Sequence, residues 1–327
     1  MLEALRNISA TLGSDPLLVQ AAGGNTSLKR DGIMWIKASG TWLRDALAKD
    51  IFVPLDIAAL HAALERDDPA CEACVPFVRQ DINPSGLRPS IETSVHGLMA
   101  HPVVLHVHCV NTIAWAVQRD AKDLLAPLLA PFNWAYVPYA RPGLQLCRAI
   151  RRVIAPTTEV LILQNHGLAV GGATVAEAEA LLRRVVRVLQ RPVRSSPSPD
   201  VAFLAGIAKG TAYRLPTEET SHGFALDAWS HAHAANRCHY PDHVLFLGAR
   251  IPADPATGAP ALAIVGKGVL VHESARAAVE PMLGCLSHVF ARLDPSVRLT
   301  ALSDEDNDQL LNWDAEKYRL ALNTTTS

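Results

Sequence analysis

A chain of 327 residues, at roughly 150 residues per domain, holds about two domains and buries a full-sized core without disulfide or metal staples. It is 49% hydrophobic and 19% charged, and 30 Lys+Arg against 32 Asp+Glu leave a formal charge of −2, which argues against a disordered chain and against a generally basic nucleic-acid binder. No apolar run reaches the roughly 18 residues of a membrane span, and Glu3 and Arg6 interrupt the opening MLEALRNISA where a signal peptide needs an apolar stretch. The expectation is a soluble, cytoplasmic protein with neither a nucleic-acid nor a membrane partner. Six scattered cysteines in so long a chain are expected to be free thiols.

In chain order, Leu2 to Leu12 has the period of a short amphipathic helix, and SLKRDGIMWIKAS alternates as a hairpin turning at Asp31-Gly32. Ile51 to Leu64 holds a strand and then a helix. Pro69 to Pro89 is loop-rich, and its CEAC stretch, Cys71 to Cys74, reads as part of a polar loop because no second CxxC answers it. Ile91 to Ala100 is a helix candidate, Val103 to Val110 and Glu159 to Leu168 are β-branched strands, and Val175 to Leu189 is a helix with Thr174 as its cap. RPVRSSPSPD, residues 191–200, combines three prolines with three serines and marks a linker. It separates an expected domain over residues 1–192 from a smaller one over 200–327. Beyond it, Val201 to Ala212 and Ala275 to Leu293 read as helices, His243 to Leu247 and Ala261 to Val271 as strands, and Ser303 caps a last helix ahead of Asp304, Glu305 and Asp306.

The most informative segment is PVVLHVHCV. Strand side chains alternate faces, so His106 and His108 project from one side about 7 Å apart along the backbone and can share a metal. A catalytic zinc takes typically three protein ligands. His166, ending the apolar run LILQNH beside Gly167, is the candidate for the third. Glu92 in RPSIETSVH can serve as a base, or can simply favour the first turn of a helix for dipole reasons. GGNTS (Gly24 to Ser27) and ASGT (Ala38 to Thr41) offer small residues, hydroxyls and free N–H groups for an anion. Neither fits a dinucleotide or nucleoside-triphosphate glycine pattern. The histidines of the 200–327 segment, among them His222, His231, His233, His239 and His243, match no zinc spacing and read as solvated or core residues. The basic stripe LLRRVVRVLQRPVR reads as a solvated helix face.

Taken in order, GGNTS, IKASGT, PSIET, LHVHCVN and LQNHGL resemble the class II aldolase and adducin superfamily over roughly residues 5–190. The segments YPDHVLFLG, VGKGVLV and NDQLLNWDAEKY resemble the part that follows the aldolase portion in bifunctional rhamnulose-phosphate aldolase/short-chain dehydrogenases. The resemblance implies an α/β fold of three layers, with a mainly antiparallel sheet flanked by helices, plus a smaller C-terminal α/β domain. It implies a zinc-dependent lyase that cleaves a ketose or ketose phosphate through an enediolate, with His106, His108 and His166 on Zn2+ or another divalent transition metal and Glu92 as acid/base. Gly24, Asn25, Ser39, Gly40 and Ser90 map onto the phosphate cradle, and Tyr139 onto a tyrosine that moves a proton to the aldehyde oxygen. It further implies a homo-oligomer, since the family's sites often lie between subunits. Two departures concern the substrate. Ser90 is followed by Ile91 where the small aldolases carry a second serine, and the stretch from Glu92 to His106 is shorter. Decarboxylation or epimerisation of a sugar-acid or pentulose phosphate on the same metal, and a non-catalytic adducin-like scaffold, are the competing readings.

Overall fold

The computed structural model describes residues 1–83 and 85–322. Helix α1 (Leu2–Gly13) leads into the hairpin β1 (Asn25–Arg30) and β2 (Ile33–Lys37), whose tight turn is Asp31-Gly32, followed by β3 (Phe52–Asp56) and α2 (Ile57–Glu65). Next come α3 (Thr93–Leu98), β4 (Val103–Val107), α4 (Val110–Ala116), α5 (Ala121–Leu129), β5 (Trp134–Val137) and α6 (Leu144–Arg151). The pair β6 (Val160–Leu163) and β7 (Gly167–Gly172) precedes α7 (Val175–Val188), where the Thr174 side chain accepts from the Glu177 N–H as the sequence predicts.

These strands form one seven-stranded sheet in the order β3-β2-β1-β4-β7-β6-β5. Only β5 and β6 run parallel; every other neighbouring pair is antiparallel. Side-chain alternation divides its two faces. Val103, Leu105 and Val107 of β4, with Leu168 and Val170 of β7, pack against α1, α5 and α7. Met34, Ile36, Val53 and Leu55 face α2 and α6, while Val104, Leu161 and Ala169 face α3 and α6. The result is a helix–sheet–helix sandwich with a mainly antiparallel sheet. His106 lies on the α3 and α6 side, directly opposite Asn25 on β1.

Residues 190–200 adopt neither helix nor strand. Beyond them lie α8 (Val201–Ala208), β8 (Tyr213–Arg214), α9 (Ala228–Ala234), α10 (Pro241–Leu247), β9 (Ala261–Ile264), β10 (Gly268–His272), α11 (Val279–Phe290), α12 (Asp304–Asn312) and α13 (Asp314–Ala321). The three strands pair as β8-β10-β9. Ser303 and Asp306 form a reciprocal capping box at α12. The largest apolar cluster spans both parts: Val110, Ile113, Ala114 and Val117 of α4 pack with Phe224, Tyr240, Leu283, Leu286 and Phe290.

Two expectations need correction. His243 to Leu247, expected as a strand, is helical. A short buried apolar run has no diagnostic period, and Pro241 at the first helical position with Gly248 after the last residue are its start and stop signals. The CEAC stretch is not a polar surface loop: Cys71 and Cys74 are buried in the same apolar cluster as Cys147. Burial pushes all three thiols up, which makes them inert packing groups.

Asn165 ties the two parts together. It has a left-handed backbone (φ 54°) in the turn between β6 and β7, a conformation asparagine tolerates better than most residues. Its Nδ2 donates to the carbonyls of His239 (2.9 Å) and Thr300 (2.8 Å). Asn165→Ala strands the buried His239 carbonyl, takes one of two partners from the Thr300 carbonyl, which also lies 3.2 Å from His239 Nδ1, and strains the turn. The expected loss is roughly 2–4 kcal/mol of unfolding free energy, read as a lower urea midpoint; an unchanged midpoint contradicts this account of the joint.

Candidate metal centre and active site

β4 and the residues just beyond it deliver His106 and His108, the β6–β7 turn delivers His166, and the residue preceding α3 is Glu92. All four are buried, and one ligand atom from each lies within 4.8 Å of the others. His106 Nε2 is 3.2 Å from His108 Nε2 and 3.3 Å from Glu92 Oε2, while His166 Nε2 is 3.2 Å from Glu92 Oε1. Ligands roughly 2.0–2.1 Å from a tetrahedral zinc sit about 3.3–3.4 Å from one another. Glu92 occupies the position before the first turn of α3 but makes no side-chain cap bond there. The dipole explanation for this residue therefore gives way to one based on the cluster.

The remaining ring atoms fix which nitrogens face inward. His106 Nδ1 lies 3.0 Å from the Leu168 carbonyl, an acceptor, so Nδ1 carries the proton and Nε2 presents a lone pair. His108 Nδ1 faces the Asp242 carboxylate at 3.0 Å, with the same consequence. Two lone pairs thus meet at 3.2 Å, an arrangement that repels unless a cation or proton lies between them. Burial favours the neutral, ligating form of two of the rings: it lowers His166 to about 4 and His106 below its usual value. Burial alone would raise the Glu92 carboxyl; a proton carried on His106, His166 or His108 acts against burial, as does the Asn25 amide, and holds it well below the ordinary carboxylate range.

Asn25 is held in one orientation. Its Oδ1 accepts from His96 Nε2 on α3, and His96 Nδ1 in turn takes the Ser27 hydroxyl at 2.7 Å. That leaves Asn25 Nδ2 to donate to Glu92 Oε2 at 2.7 Å and to Ser90 Oγ at 3.1 Å. Gly24, Asn25, Ser39, Gly40 and Ser90 all line the cavity above Glu92, as does Ile91 in place of a second hydroxyl. The Ser39 hydroxyl is buried and has no hydrogen-bond partner among the described residues. Tyr139 is not brought to this cavity: it lines a separate surface hollow with Gln145 and Arg148. Among the described residues no other group of histidines, cysteines and carboxylates gathers at metal-binding spacing. His222, His239 and His243 are core residues.

The profile of the class II aldolase and adducin N-terminal domain matches residues 4–191. The chain belongs to that family. A Bacillus subtilis (strain 168) relative described as an uncharacterized oxidoreductase, YuxG, is 28% identical over 194 residues, which is 56% of this chain and 27% of that protein. The chain therefore spans about a quarter of that relative's length. Among solved structures, the N-terminal class II aldolase domain of a conserved protein from Thermoplasma acidophilum is 27% identical, covers 57% of this chain and 91% of its own, and superposes with a TM-score of 0.49. An L-fuculose 1-phosphate aldolase is 17% identical, covers 67% of this chain and 91% of its own, and gives a TM-score of 0.41.

In this class II aldolase-family protein the cavity is completed from outside the matched region, by residues that sequence reasoning did not reach. Asp242 opens α10, and Glu316 and Arg319 project from α13. Arg319 Nη1 donates to Asp242 Oδ1 at 2.6 Å and lies 3.5 Å from Glu316 Oε2. Gly40, with φ at 77°, has no side chain to keep α13 away, since a Cβ there would lie 2.9 Å from Leu322 and 3.3 Å from the Arg319 carbonyl. With α13 seated, the cavity has a volume of about 20 Å³, room for one water or so and not for a sugar. No sequence pattern links α13 to β4, because the contact depends on the whole fold between them. No helix of the described residues is long and apolar enough to cross a membrane.

Lys37, also missed from sequence, is buried at the cavity floor with Nζ donating to the carbonyls of Ala22 and Gly24, each at 2.9 Å. It pins the loop that carries Asn25. Burial lowers its pKa from 10.5 to about 7, with Arg319 acting in the same direction. An unfolded lysine keeps its proton to about pH 10, so over the window from about 7 to 10 the unfolded chain binds more protons and stability rises with pH. Lys37→Met removes this contribution. The unfolding free energy of the wild type minus that of the variant, from urea melts, should therefore grow from pH 7 to pH 10; a constant difference contradicts the assignment.

Proposed function

We propose that the protein is a divalent-metal-dependent lyase of the class II aldolase type, cleaving the carbon–carbon bond of a ketose or ketose phosphate in the cytoplasm as a homo-oligomer. One observation carries this reading: three imidazole nitrogens and a carboxylate, all buried, lie within 4.8 Å of one another. The donor set fits the group. His106, His108 and His166 would hold the ion, with Zn2+ first among several metals that such a set accepts. A bound divalent cation supplies Lewis acidity to the oxygens of a ketose, the charge stabilisation that retro-aldol cleavage requires.

The chain's own residues supply the rest. Glu92 holds and moves the proton: one carboxylate oxygen is fixed by Asn25 Nδ2, and the other lies 3.2 Å from His166 with no hydrogen bond among the described residues. It is therefore positioned to act as a base toward a substrate bound beside the three imidazoles, and it would also lie within reach of an ion that they hold. Gly24, Asn25, Ser39, Gly40 and Ser90 would receive the substrate's phosphate or terminal hydroxyls, Ser39 Oγ being the donor still free to do so. Tyr139 reaches a reacting oxygen only if a second subunit presents it, which is the part that the homo-oligomer plays in this reading.

The test is product analysis of the metal-loaded protein with a panel of ketoses, ketose and pentulose phosphates and sugar-acid phosphates, following aldehyde and ketone fragments and carbon dioxide in parallel. Fragments without carbon dioxide support a lyase. Carbon dioxide release, or isomerisation without fragments, replaces it with a decarboxylase or an epimerase, and neither turnover nor bound metal leaves a scaffold. His108→Ala is expected to lose both metal and turnover. Glu92→Gln should retain the metal on three imidazoles while turnover falls by roughly 10²–10⁴-fold; unimpaired turnover in that variant removes Glu92 from the mechanism.

A further inference from the structure

We infer that Asp242, from the C-terminal part of the chain, is a positioning residue of the metal centre: it holds the His108 ring with Nε2 toward the other ligands, and Arg319 holds Asp242. The inference rests on the metal reading above and goes beyond it, because both residues lie outside the region matched by the family profile, which ends at residue 191.

The geometry assigns each oxygen of Asp242 a task. Oδ1 accepts from Arg319 Nη1 at 2.6 Å. Oδ2 lies 3.0 Å from His108 Nδ1, an ion-pair contact, and forms no hydrogen bond among the described residues. The carboxylate is only 2% exposed, so water does not satisfy that oxygen. A buried carboxylate is costly unless paired, and here the pairing is to a guanidinium on one side and a candidate metal ligand on the other. Facing a carboxylate at Nδ1 fixes an imidazole's tautomer and makes its Nε2 a stronger donor. Pro241, at the first position of α10, has its backbone preset for the helix start and so fixes where Asp242 emerges.

A second observation points the same way. A Cβ on Gly23 would lie 2.7 Å from His108 Nδ1 and 2.8 Å from Asp242 Oδ2. The first glycine of the GGN loop is therefore pressed against this contact and against the Gln20 carbonyl, 2.9 Å from such a Cβ, so a larger residue has to shift the pair or the loop. The loop and α10 converge on one hydrogen-bond-length gap. By contrast His106 takes its orientation from the Leu168 carbonyl, within the sheet itself, so of the two histidines on β4 and its extension His108 is the one whose ring meets the C-terminal part.

The test is titration with Co2+, whose visible absorption reports ligand geometry, on the full chain as wild type, Asp242→Asn, Gly23→Ala and the double variant Asp242→Asn with Arg319→Met. The double variant keeps the guanidinium from facing an uncharged amide should the single change impair folding, and Gly23→Ala crowds the pair, together with the Gln20 carbonyl, without altering either member. In variants that unfold cooperatively, Co2+ affinity is expected to fall by roughly 10–100-fold, with a changed ligand-field spectrum. Wild-type affinity and spectrum in folded Asp242→Asn, or in the folded double variant, overturn the inference and leave the metal reading standing. Absence of Co2+ binding by the wild type overturns the metal reading and this inference with it.

Discussion

Two imidazole lone pairs facing each other at 3.2 Å in a buried pocket is the constraint from which the rest of the structure can be understood. Neutral rings so placed repel, and burial strengthens that repulsion. A cation converts that repulsion into coordination. The anchoring of each Nδ1, to the Leu168 carbonyl for His106 and to Asp242 for His108, prevents the rings from relieving the repulsion by exchanging tautomers. The free energy of folding is thus spent on assembling a site that is satisfied only when it is filled.

The sheet provides the rigidity this requires. β4 lies at its centre, paired with β1 on one side and β7 on the other, so His106 is fixed in register with Asn25 and with Ala169. The same register sets Asn25 beside Glu92, and the chain Ser27–His96–Asn25 leaves the Asn25 amide one way to point. What the sheet does not supply comes from the C-terminal part, through Asn165 at its base and α13 over the cavity. α13 restricts the cavity to about 20 Å³, and the Arg319–Asp242 contact joins that helix to the carboxylate facing His108.

The hydrophobic alternation of β1, β2 and β4, the Asp31-Gly32 turn and the Thr174 and Ser303 caps were legible in sequence because each is local. The two histidines of HVH share a site for the same reason: their spacing and strand geometry suffice. His166 was expected at the end of a strand. It lies instead in a turn that follows Asn165, whose left-handed backbone a run of apolar residues does not announce. The helix at Pro241–Leu247 was hidden by a buried run too short for a period to show. Asp242, Lys37, Glu316 and Arg319 were out of reach altogether, since their roles arise from contacts across as many as 282 residues of chain, from Lys37 to Arg319. Nothing in DHV or IKA distinguishes a metal-centre residue from a surface one. The CEAC stretch misled in the opposite sense, its charged neighbours concealing two thiols packed in the core.

The central claim is that one divalent ion occupies the gap between the three rings. An anomalous-difference map collected at the zinc edge from crystals of the zinc-soaked protein tests it directly. The account predicts a single strong peak in that gap, roughly 2.0–2.1 Å from the Nε2 atoms of His106, His108 and His166; a map with no peak there, or with zinc only at surface histidines, would contradict it.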